Sequence, residues 1–301
     1  MLAYLCLASA MMIVGAYVGF SKLLVAALPV FLLAWLRFGI AAVAMAHWLP
    51  RGADEAPLDA RSRWLVFLES FLGNFLFSIC MLFGMREATA ISAGVIMAGI
   101  PAAVALLSWL FLRETLSARM LGAIALAVAG VVVLAFTRGG PEDGHTSVLG
   151  MLLLLGAVFC EASYVVIGKR LTGKLSPKRI SALINLWGLL LVTPMGVWAA
   201  LSFDFGTVAT GTWLGLVLYA LAASMWTVWL WMTGLKRVPA AKAGVFTVFL
   251  PLTSALVGIV FLGERFTAAH LVAFGCAIAG VLLATWPSRA TAAGQAAPLR
   301  K

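Results

Sequence analysis

A stretch of 53 residues near the middle of the chain is repeated near its end. Residues 84–136 align without a gap with residues 234–286 at a constant offset of 150, and 18 of the 53 aligned pairs are identical. The identical pairs keep Pro101 in register with Pro251, which an apolar composition alone does not easily supply. A repeat of about half the chain length predicts two copies of one structural unit.

The composition is too apolar for a soluble domain. Of the 301 residues, 63% are hydrophobic and 11% are charged, and the mean hydropathy is +1.07. Apolar runs of about 18–23 residues recur, the length that a helix needs to cross about 30 Å of hydrocarbon. The sequence therefore predicts an all-α integral membrane protein with ten transmembrane helices, at residues 2–20, 29–49, 64–84, 88–110, 118–136, 148–168, 178–200, 212–234, 239–262 and 267–286.

Lysines and arginines divide unequally between the two ends of these spans. Of 21 such residues, 16 fall on the side of the N-terminus, four fall on the opposite side, and Arg37 lies within a span. Because positive charge is enriched in cytoplasmic loops, both termini are expected in the cytoplasm. The net charge of +10 then reflects membrane topology, and nucleic acid is not an expected partner.

Five spans in each half force the two copies to insert upside down relative to each other. We expect a first five-helix repeat at residues 1–138, a linker at 139–147, a second repeat at 148–287 and a cytoplasmic tail at 288–301. Two inverted five-helix repeats are typical of secondary transporters, in which the binding site lies near the membrane midplane between the repeats.

Several short motifs resemble the EamA-type drug/metabolite transporter superfamily. They are Leu36-Arg37-Phe38 in the second span, Pro101 in the fourth, Arg113-Glu114-Thr115-Leu116-Ser117 before the fifth, Pro251, and Gly263-Glu264-Arg265-Phe266-Thr267. The resemblance covers essentially the whole chain. It implies a central cavity lined mainly by spans 1, 3, 4, 6, 8 and 9, with spans 5 and 10 packed together. It also implies alternating access, driven by ion exchange or by the substrate gradient.

Glu161 is the principal candidate for substrate binding and coupling. A charge inside a span costs about 2.5–3.5 kcal/mol on insertion scales, so it is by default a hypothesis for function. Glu161 lies in the sixth span, one turn before Tyr164. A carboxylate facing a cavity would bind a proton and a substrate cation in turn, whereas a structural carboxylate would pair with a cationic side chain.

Three further polar residues are assigned to the same site. Asn74 and Ser78 are four residues apart in the third span and share a helix face. They would either present donors to a substrate or hold two helices together. Tyr17 lies in a sequence, Ala-Tyr-Val, that resembles the Ser-Tyr-Val around Tyr164 in the other half.

The eighth span carries a cluster of three tryptophans. Trp226 lies nearest the middle and is expected to form, with Tyr219 and Tyr164, the wall of a pocket for an apolar or cationic ligand. Trp229 and Trp231 lie nearer the helix end and are expected in the aromatic belt at the membrane interface.

The remaining charged residues within or beside the spans allow two interpretations each. Arg37 either contacts substrate or, on a peripheral helix, hydrogen-bonds a loop or a neighbouring helix end. Glu69 is expected in an interfacial salt bridge, with a gate as the alternative. Lys242 either extends to the interface or joins the site. Glu114 and Glu264 are expected to cap helices or form turns.

Pro101 and Pro251 occupy equivalent positions in two helices that the resemblance places at the cavity. Each proline removes a helical hydrogen bond and is expected to kink its helix. A pair of matching kinks would give each half a hinge or gate.

The motifs of several other protein classes do not occur. The sequence has no Walker A or Gly-x-Ser-x-Gly motif, its three histidines are far apart, and its four cysteines lack metal-ligand spacing. We therefore expect no enzyme activity, no metal and no cofactor.

The sequence predicts a secondary active transporter of a bacterial-type inner membrane that exports small organic metabolites. The resemblance favours amino acids as substrates. Protons are a possible coupling ion, the partners are the substrate and the lipid bilayer, and a monomer would suffice. The alternatives are a multidrug or lipophilic-cation exporter and, from another class, a non-transporting membrane enzyme or scaffold.

Overall fold

The described part of the chain folds into helices and contains no β-strand. The computed structural model describes residues 2–52, 55, 57–112, 118–135, 146–237, 246 and 249–285. The α-helices are α1 (Leu2–Ala27), α2 (Val30–Met45), α3 (Ala60–Ser70), α4 (Phe77–Arg86), α5 (Ala90–Met97), α6 (Ile100–Leu112), α7 (Ala118–Ala135), α8 (Val148–Leu171), α9 (Pro177–Leu201), α10 (Thr210–Ala220), α11 (Thr227–Arg237), α12 (Phe249–Leu262) and α13 (Ala268–Thr285).

Six continuous helical stretches are long and apolar enough to cross a membrane. They are Leu2–Ala27, Val30–Trp48, Ala60–Arg86, Val148–Gly168, Pro177–Leu201 and Thr210–Arg237. Four shorter apolar helices accompany them, at Ala90–Val104, Leu121–Gly130, Leu252–Leu262 and Ala268–Gly280. The predicted all-α, multi-pass membrane architecture is confirmed.

The predicted fourth span is two helices. α5 ends at Met97 and α6 begins at Ile100, with Ala98 and Gly99 in a turn between them. The break directly precedes Pro101, which has no N–H to continue the helical hydrogen bonds of the preceding turn. Likewise, the first helix runs on beyond its predicted end to Ala27 and stops just before Pro29.

Two π-helical segments interrupt equivalent long helices. The first π segment, Phe71–Leu76, joins α3 to α4, and the second π segment, Leu221–Trp226, joins α10 to α11. Their positions differ by 150, the offset of the sequence repeat. A π turn accommodates one extra residue, so side chains beyond it are rotated by about 100° from an uninterrupted α-helix.

Helices from the two copies of the repeat interlock. α7 packs along α13, as expected for spans 5 and 10, and α2 packs along α9. α1 packs on α11 and α12, while α8 packs on α4 and α6. The contact of α1 with α12 is close, because a Cβ atom at Gly15 would clash with the carbonyl oxygen of Leu250.

One end of the bundle carries two ion pairs between the loop before α3 and the start of α9. Glu55 contacts Arg179 at 2.5 Å, and Asp59 contacts Lys174 at 3.4 Å. Asp59 also caps α3 by accepting a hydrogen bond from the backbone N–H of Ser62. The hydrogen bonds from Ser62, together with nearby Lys174, lower the pKa of Asp59 to about 2.

The opposite end is held by Glu264. This carboxylate pairs with Lys22 of α1 at 3.1 Å and accepts backbone hydrogen bonds from Ala90 at 2.8 Å and Ile91 at 3.0 Å. These two N–H groups belong to the first turn of α5, which has no helical acceptors for them. The capping role expected of Glu264 is therefore confirmed, while Glu114 lies outside the described residues.

Candidate functional site

A small polar cavity lies where α1, α2, α4, α8, α9, α11 and the two π segments meet. Its volume is about 40 Å³, room for about three water molecules. The polar side chains that line this polar cavity are Tyr17, Arg37, Asn74, Glu161, Tyr164, Thr227 and Trp231. Spans 2 and 7 thus contribute to it, which the resemblance did not imply.

Glu161 lies where the polar cavity meets a second, apolar cavity. It lines both, and the second has a volume of about 20 Å³ and includes Met97, Ile100 and Leu250 in its wall. The three ion pairs between described residues do not involve Glu161. Within the described residues, no cation neutralises the carboxyl group of Glu161.

Arg37 faces the same polar cavity. Its side chain is 3% exposed, it donates a 2.6 Å hydrogen bond to the Oγ atom of Ser78, and its guanidinium lies 4.2 Å above the ring of Phe38. The bond to a neighbouring helix was anticipated, but the peripheral location was wrong. No carboxylate in the described ranges forms an ion pair with this buried cation.

Asn74 and Ser78 act on the cavity in different ways. Asn74 lines it and donates through Nδ2 to the backbone oxygen of Ile184 at 3.0 Å, which ties the first π segment to α9. Ser78 is 2% exposed and does not line the cavity. It donates to the backbone oxygen of Asn74 and accepts from Arg37, so it positions the guanidinium.

The two tyrosines of the predicted site line the polar cavity from different helices, Tyr17 from α1 and Tyr164 from α8. Tyr164 packs so closely on Gly73 that a Cβ atom there would lie 2.5 Å from the Cβ of Tyr164, and its hydroxyl has no partner among the described residues. Tyr17 packs edge-to-face on Tyr219, with ring centroids 5.8 Å apart. Tyr17 also forms the boundary between the polar cavity and a larger apolar groove.

This apolar groove lies between α1 and the helix formed by α10 and the second π segment. Its volume is about 760 Å³. Its walls include Ile13, Tyr17, Phe20, Leu24, Leu218, Tyr219 and Trp226. Apart from its tyrosines, the groove presents mainly hydrocarbon and aromatic surface.

The structure bears out part of the prediction for the tryptophans. Trp226 lines the apolar groove together with Tyr219, as expected, whereas Tyr164 lines the polar cavity. Trp231, expected in the interfacial belt, is 6% exposed and lines the polar cavity. Trp229, which contacts Lys178 near the bundle end, is compatible with the belt.

Glu69 is not in the predicted interfacial salt bridge. Its side chain is fully buried, and neither carboxylate oxygen has a hydrogen-bond partner in the described ranges. Asn185 is structural, because it donates to the backbone oxygen of Phe38 at 3.0 Å and joins α9 to α2. Lys242 lies outside the described residues.

The hinge hypothesis rests on Pro101 and Pro251. Pro101 is the second residue of α6, where a missing N–H is best tolerated, and Pro251 lies in the described part of α12. Their role as hinges or gates stays a prediction.

Sequence reasoning did not assign Thr227 and Trp231 to the cavity, and it left Arg37 open between a substrate contact and a structural role. The spacing of four between Ala223, Thr227 and Trp231 marks one helix face. That spacing was a usable signal, but it does not say which face points inward. The position of Arg37 depends on how α2 packs against α4 and α9, which its own span does not reveal.

Comparison with known proteins agrees with this architecture. Residues 1–136 and 148–286 match the EamA-like transporter family. The uncharacterized transporter YetK of Bacillus subtilis is 35% identical over 93% of this chain and 86% of its own length. The threonine/homoserine exporter RhtA of Escherichia coli is 29% identical over 54% of this chain and 53% of its own.

A solved crystal structure shares the fold. It covers 96% of this chain and 97% of its own, with a TM-score of 0.66 at 19% identity. The two family matches span both copies of the repeat, and YetK is similar over nearly the whole length. This chain belongs to the EamA-like transporter family.

Proposed function

We propose that the protein is a secondary active exporter of small zwitterionic metabolites, with amino acids as the first class to test. The observation that carries this proposal is that one cationic and one anionic side chain line the polar cavity. Arg37 and Glu161 both line it, and neither has an ion-pair partner among the described residues. The partial similarity to the threonine/homoserine exporter RhtA points to the same substrate class.

A zwitterion would satisfy both charges. The guanidinium of Arg37 matches a carboxylate in shape and charge, and the carboxylate of Glu161 matches an ammonium group. A buried charge without a partner is costly, so a ligand lacking either group would leave one charge uncompensated. Tyr17, Tyr164 and Asn74 would shape the cavity around the bound molecule, while Ser78 holds Arg37 in place.

Transport would proceed by alternating access between two inverted five-helix repeats, with both termini in the cytoplasm of a bacterial-type cell. The polar cavity is too small for an amino acid, so helices must separate to admit one. Pro101 and Pro251 would serve as matching hinges. A proton bound by Glu161 would exchange with the substrate ammonium, which would couple export to the proton gradient in a monomer.

The test is flux of L-threonine and L-homoserine in proteoliposomes, with and without a pH gradient. We expect gradient-driven flux in the wild type. Loss of a hydrogen bond to a charged group costs about 1.5–3 kcal/mol, so Arg37→Gln should lower substrate affinity roughly 10- to 150-fold. Glu161→Gln should abolish the response to the gradient.

Asp59→Asn is the matched control, because it removes an acidic group that is exposed at the bundle end. It should retain wild-type flux and coupling. Absence of flux for both compounds in the wild type, or equal losses in Asp59→Asn and the two cavity variants, would contradict the proposal.

A second candidate, an exporter of lipophilic cations, is favoured by the apolar groove. Aromatic side chains such as Phe20 and Trp226 would hold an apolar cation beside the boundary residue Tyr17. Tetraphenylphosphonium flux that falls in Trp226→Ala but not in Arg37→Gln would support this candidate. If the protein exports amino acids, threonine flux should instead fall in Arg37→Gln and not in Trp226→Ala.

A further inference from the structure

A second carboxyl group lies buried beside the polar cavity. Glu69 of α3 is fully buried, and both of its oxygens lack hydrogen-bond partners in the described chain. It rests on the backbone of α8, since a Cβ atom at Gly168 would lie 2.6 Å from its Oε1. A carboxylate that is ionised with neither a cation nor an N–H partner is strongly unfavourable, and a bound proton would remove that cost.

Glu69 lies between one end of the bundle and the polar cavity. It is ten residues beyond the cap residue Asp59, a rise of about 15 Å along α3. Beyond it, Asn74 reaches the polar cavity. A group that passes protons between the aqueous end of the bundle and the polar cavity would have to lie in such a position.

Along α8, three positions follow one another on a single face. Glu161, Tyr164 and Gly168 are spaced by three and four residues, so they stack one turn apart. Glu161 and Tyr164 line the polar cavity, and Gly168 carries the carboxyl group of Glu69. Three groups that each lack a described hydrogen-bond or ion-pair partner, the two carboxyls and the Tyr164 hydroxyl, therefore form one line.

The described groups around Glu69 come from α8, α9 and α11. On α8, the titratable residues on the face of Gly168 are Tyr164 and Glu161, one and two turns before it. From α11 comes the methyl group of Met232, and α9 offers the backbone oxygen of Ile184 to the adjacent Ser70. The side chains of Lys169 and Arg170 lie outside the described residues.

We propose that Glu69 is a second proton-binding site, which passes its proton to Glu161 by way of Tyr164. This inference rests on the proposed function, in which Glu161 binds the coupling proton. Glu69 gives that proton a route between Glu161 and one membrane face. Glu69 releases a proton toward the Tyr164 oxygen as the Tyr164 hydroxyl gives its own to the Glu161 carboxylate. One proton moves in total, and Glu69 is then reprotonated from the end that carries Asp59.

Tyr164 bonds to neither carboxyl group in this structure, so the transfer runs through intervening water. The polar cavity has room for such water on the Glu161 side.

Infrared difference spectroscopy of the purified protein during a pH titration tests proton binding without any substrate. A protonated buried carboxyl group gives a carbonyl band that an ionised group lacks. We expect the wild type to show two such bands, of which Glu69→Gln removes one and Glu161→Gln the other. Asp59→Asn, the matched control, should remove neither. A wild-type spectrum unchanged by Glu69→Gln would overturn the proposal.

Transport assays then separate coupling from substrate movement. In proteoliposomes, Glu69→Gln and Tyr164→Phe should retain threonine exchange at zero gradient and lose at least tenfold in gradient-driven flux. Full gradient-driven flux in both variants would overturn the relay. Absence of threonine movement in the wild type would contradict the proposed function, while the infrared result still decides whether Glu69 binds a proton.

Discussion

The two π segments occupy the same position in the repeat but have different surroundings. In the first, Asn74 donates to Ile184, and Gly73 allows Tyr164 to pack against the backbone. In the second, the equivalent residues are Ser224 and Ala223, and the hydroxyl of Ser224 is buried with no partner in the described chain. A side-chain hydrogen bond thus fastens the first segment to α9, whereas the equivalent Ser224 of the second segment makes none within the described chain.

This difference shows how one repeated unit can serve two tasks. The first π segment fixes the wall that holds Arg37 through Ser78. The second leaves the hydroxyls of Ser224 and Thr227 unpartnered at or beside the polar cavity. Unsatisfied polar groups are costly unless something binds them, so the second segment is the better candidate for changing partners during transport.

The largest predicted effect concerns the two tryptophans at the end of the second π segment and just beyond it. Trp231→Ala removes a buried ring and should lower the free energy of unfolding by about 3–5 kcal/mol. Trp226→Ala removes a ring that is 39% exposed and should cost markedly less. Thermal unfolding in detergent measures both. Equal losses would show that Trp226 contributes as much packing as Trp231.

The next effect tests the close contact at the first π segment. Gly73→Ala places a methyl group against Tyr164, and such overpacking costs about 1–3 kcal/mol. The reciprocal change, Ala223→Gly, creates no clash and should change the unfolding midpoint less. Flux measured beside stability should fall in Gly73→Ala. Unchanged stability in Gly73→Ala would mean that α8 shifts readily to make room for the added methyl group.

A smaller effect separates satisfied from unsatisfied polar groups. Asn74→Ala removes a hydrogen bond to Ile184 and should cost about 1 kcal/mol of stability. Ser224→Ala removes a hydroxyl that lacks a described partner, so it should be neutral or stabilising in unfolding assays. A loss in Ser224→Ala as large as that in Asn74→Ala would remove the proposed contrast between the two segments.

The smallest effect lies at the helix starts that precede the π segments. Asp59 caps α3, whereas Ala209, 150 residues later, precedes α10 without a side-chain cap. Ala209→Asp should therefore stabilise the protein by about 0.5 kcal/mol. A lowered unfolding midpoint in Ala209→Asp would show that α10 begins in surroundings that exclude a carboxylate.

The same cap has a pH signature. The pKa of Asp59 is lowered from 3.8 to about 2, so its contribution is present above about pH 4 and is lost as the pH falls toward 2. The difference in unfolding midpoint between wild type and Asp59→Ala should follow that course. A constant difference over this range would assign the effect of the substitution to something other than the charge.

Much of the fold could be predicted from the sequence because apolar run length and proline positions limit where helices lie. Glu161, Tyr164, Tyr17 and Asn74, which the sequence assigned to one site, all line the polar cavity, whereas Ser78 and Trp226 of the same predicted site do not. The depth of a residue in its span does not say which way its side chain points, and this is why the position of Trp231 at the cavity was not predicted.

Burial by a helix that is distant in the sequence could not be predicted either. Glu69 is only a few residues from the basic end of its span, which suggested an interfacial ion pair. Its burial is caused by α8, whose Gly168 admits the carboxyl group because it has no side chain. Arg37 faces the cavity for a similar reason, since Ser78, its hydrogen-bond acceptor, lies 41 residues away. Neither contact has a signal within a single span.

The close packing of α1 against α12 has a consequence for biosynthesis. The grooves at Gly15 and Gly19 are filled by residues near 250–257, which leave the ribosome more than 230 residues later. At about 5–20 residues per second, the first helix waits roughly 10–50 s in the bilayer before its partner exists. During that interval its narrow face is covered by lipid or by chaperones of the insertion machinery. Substitutions there would act on the yield of folded protein as much as on its stability.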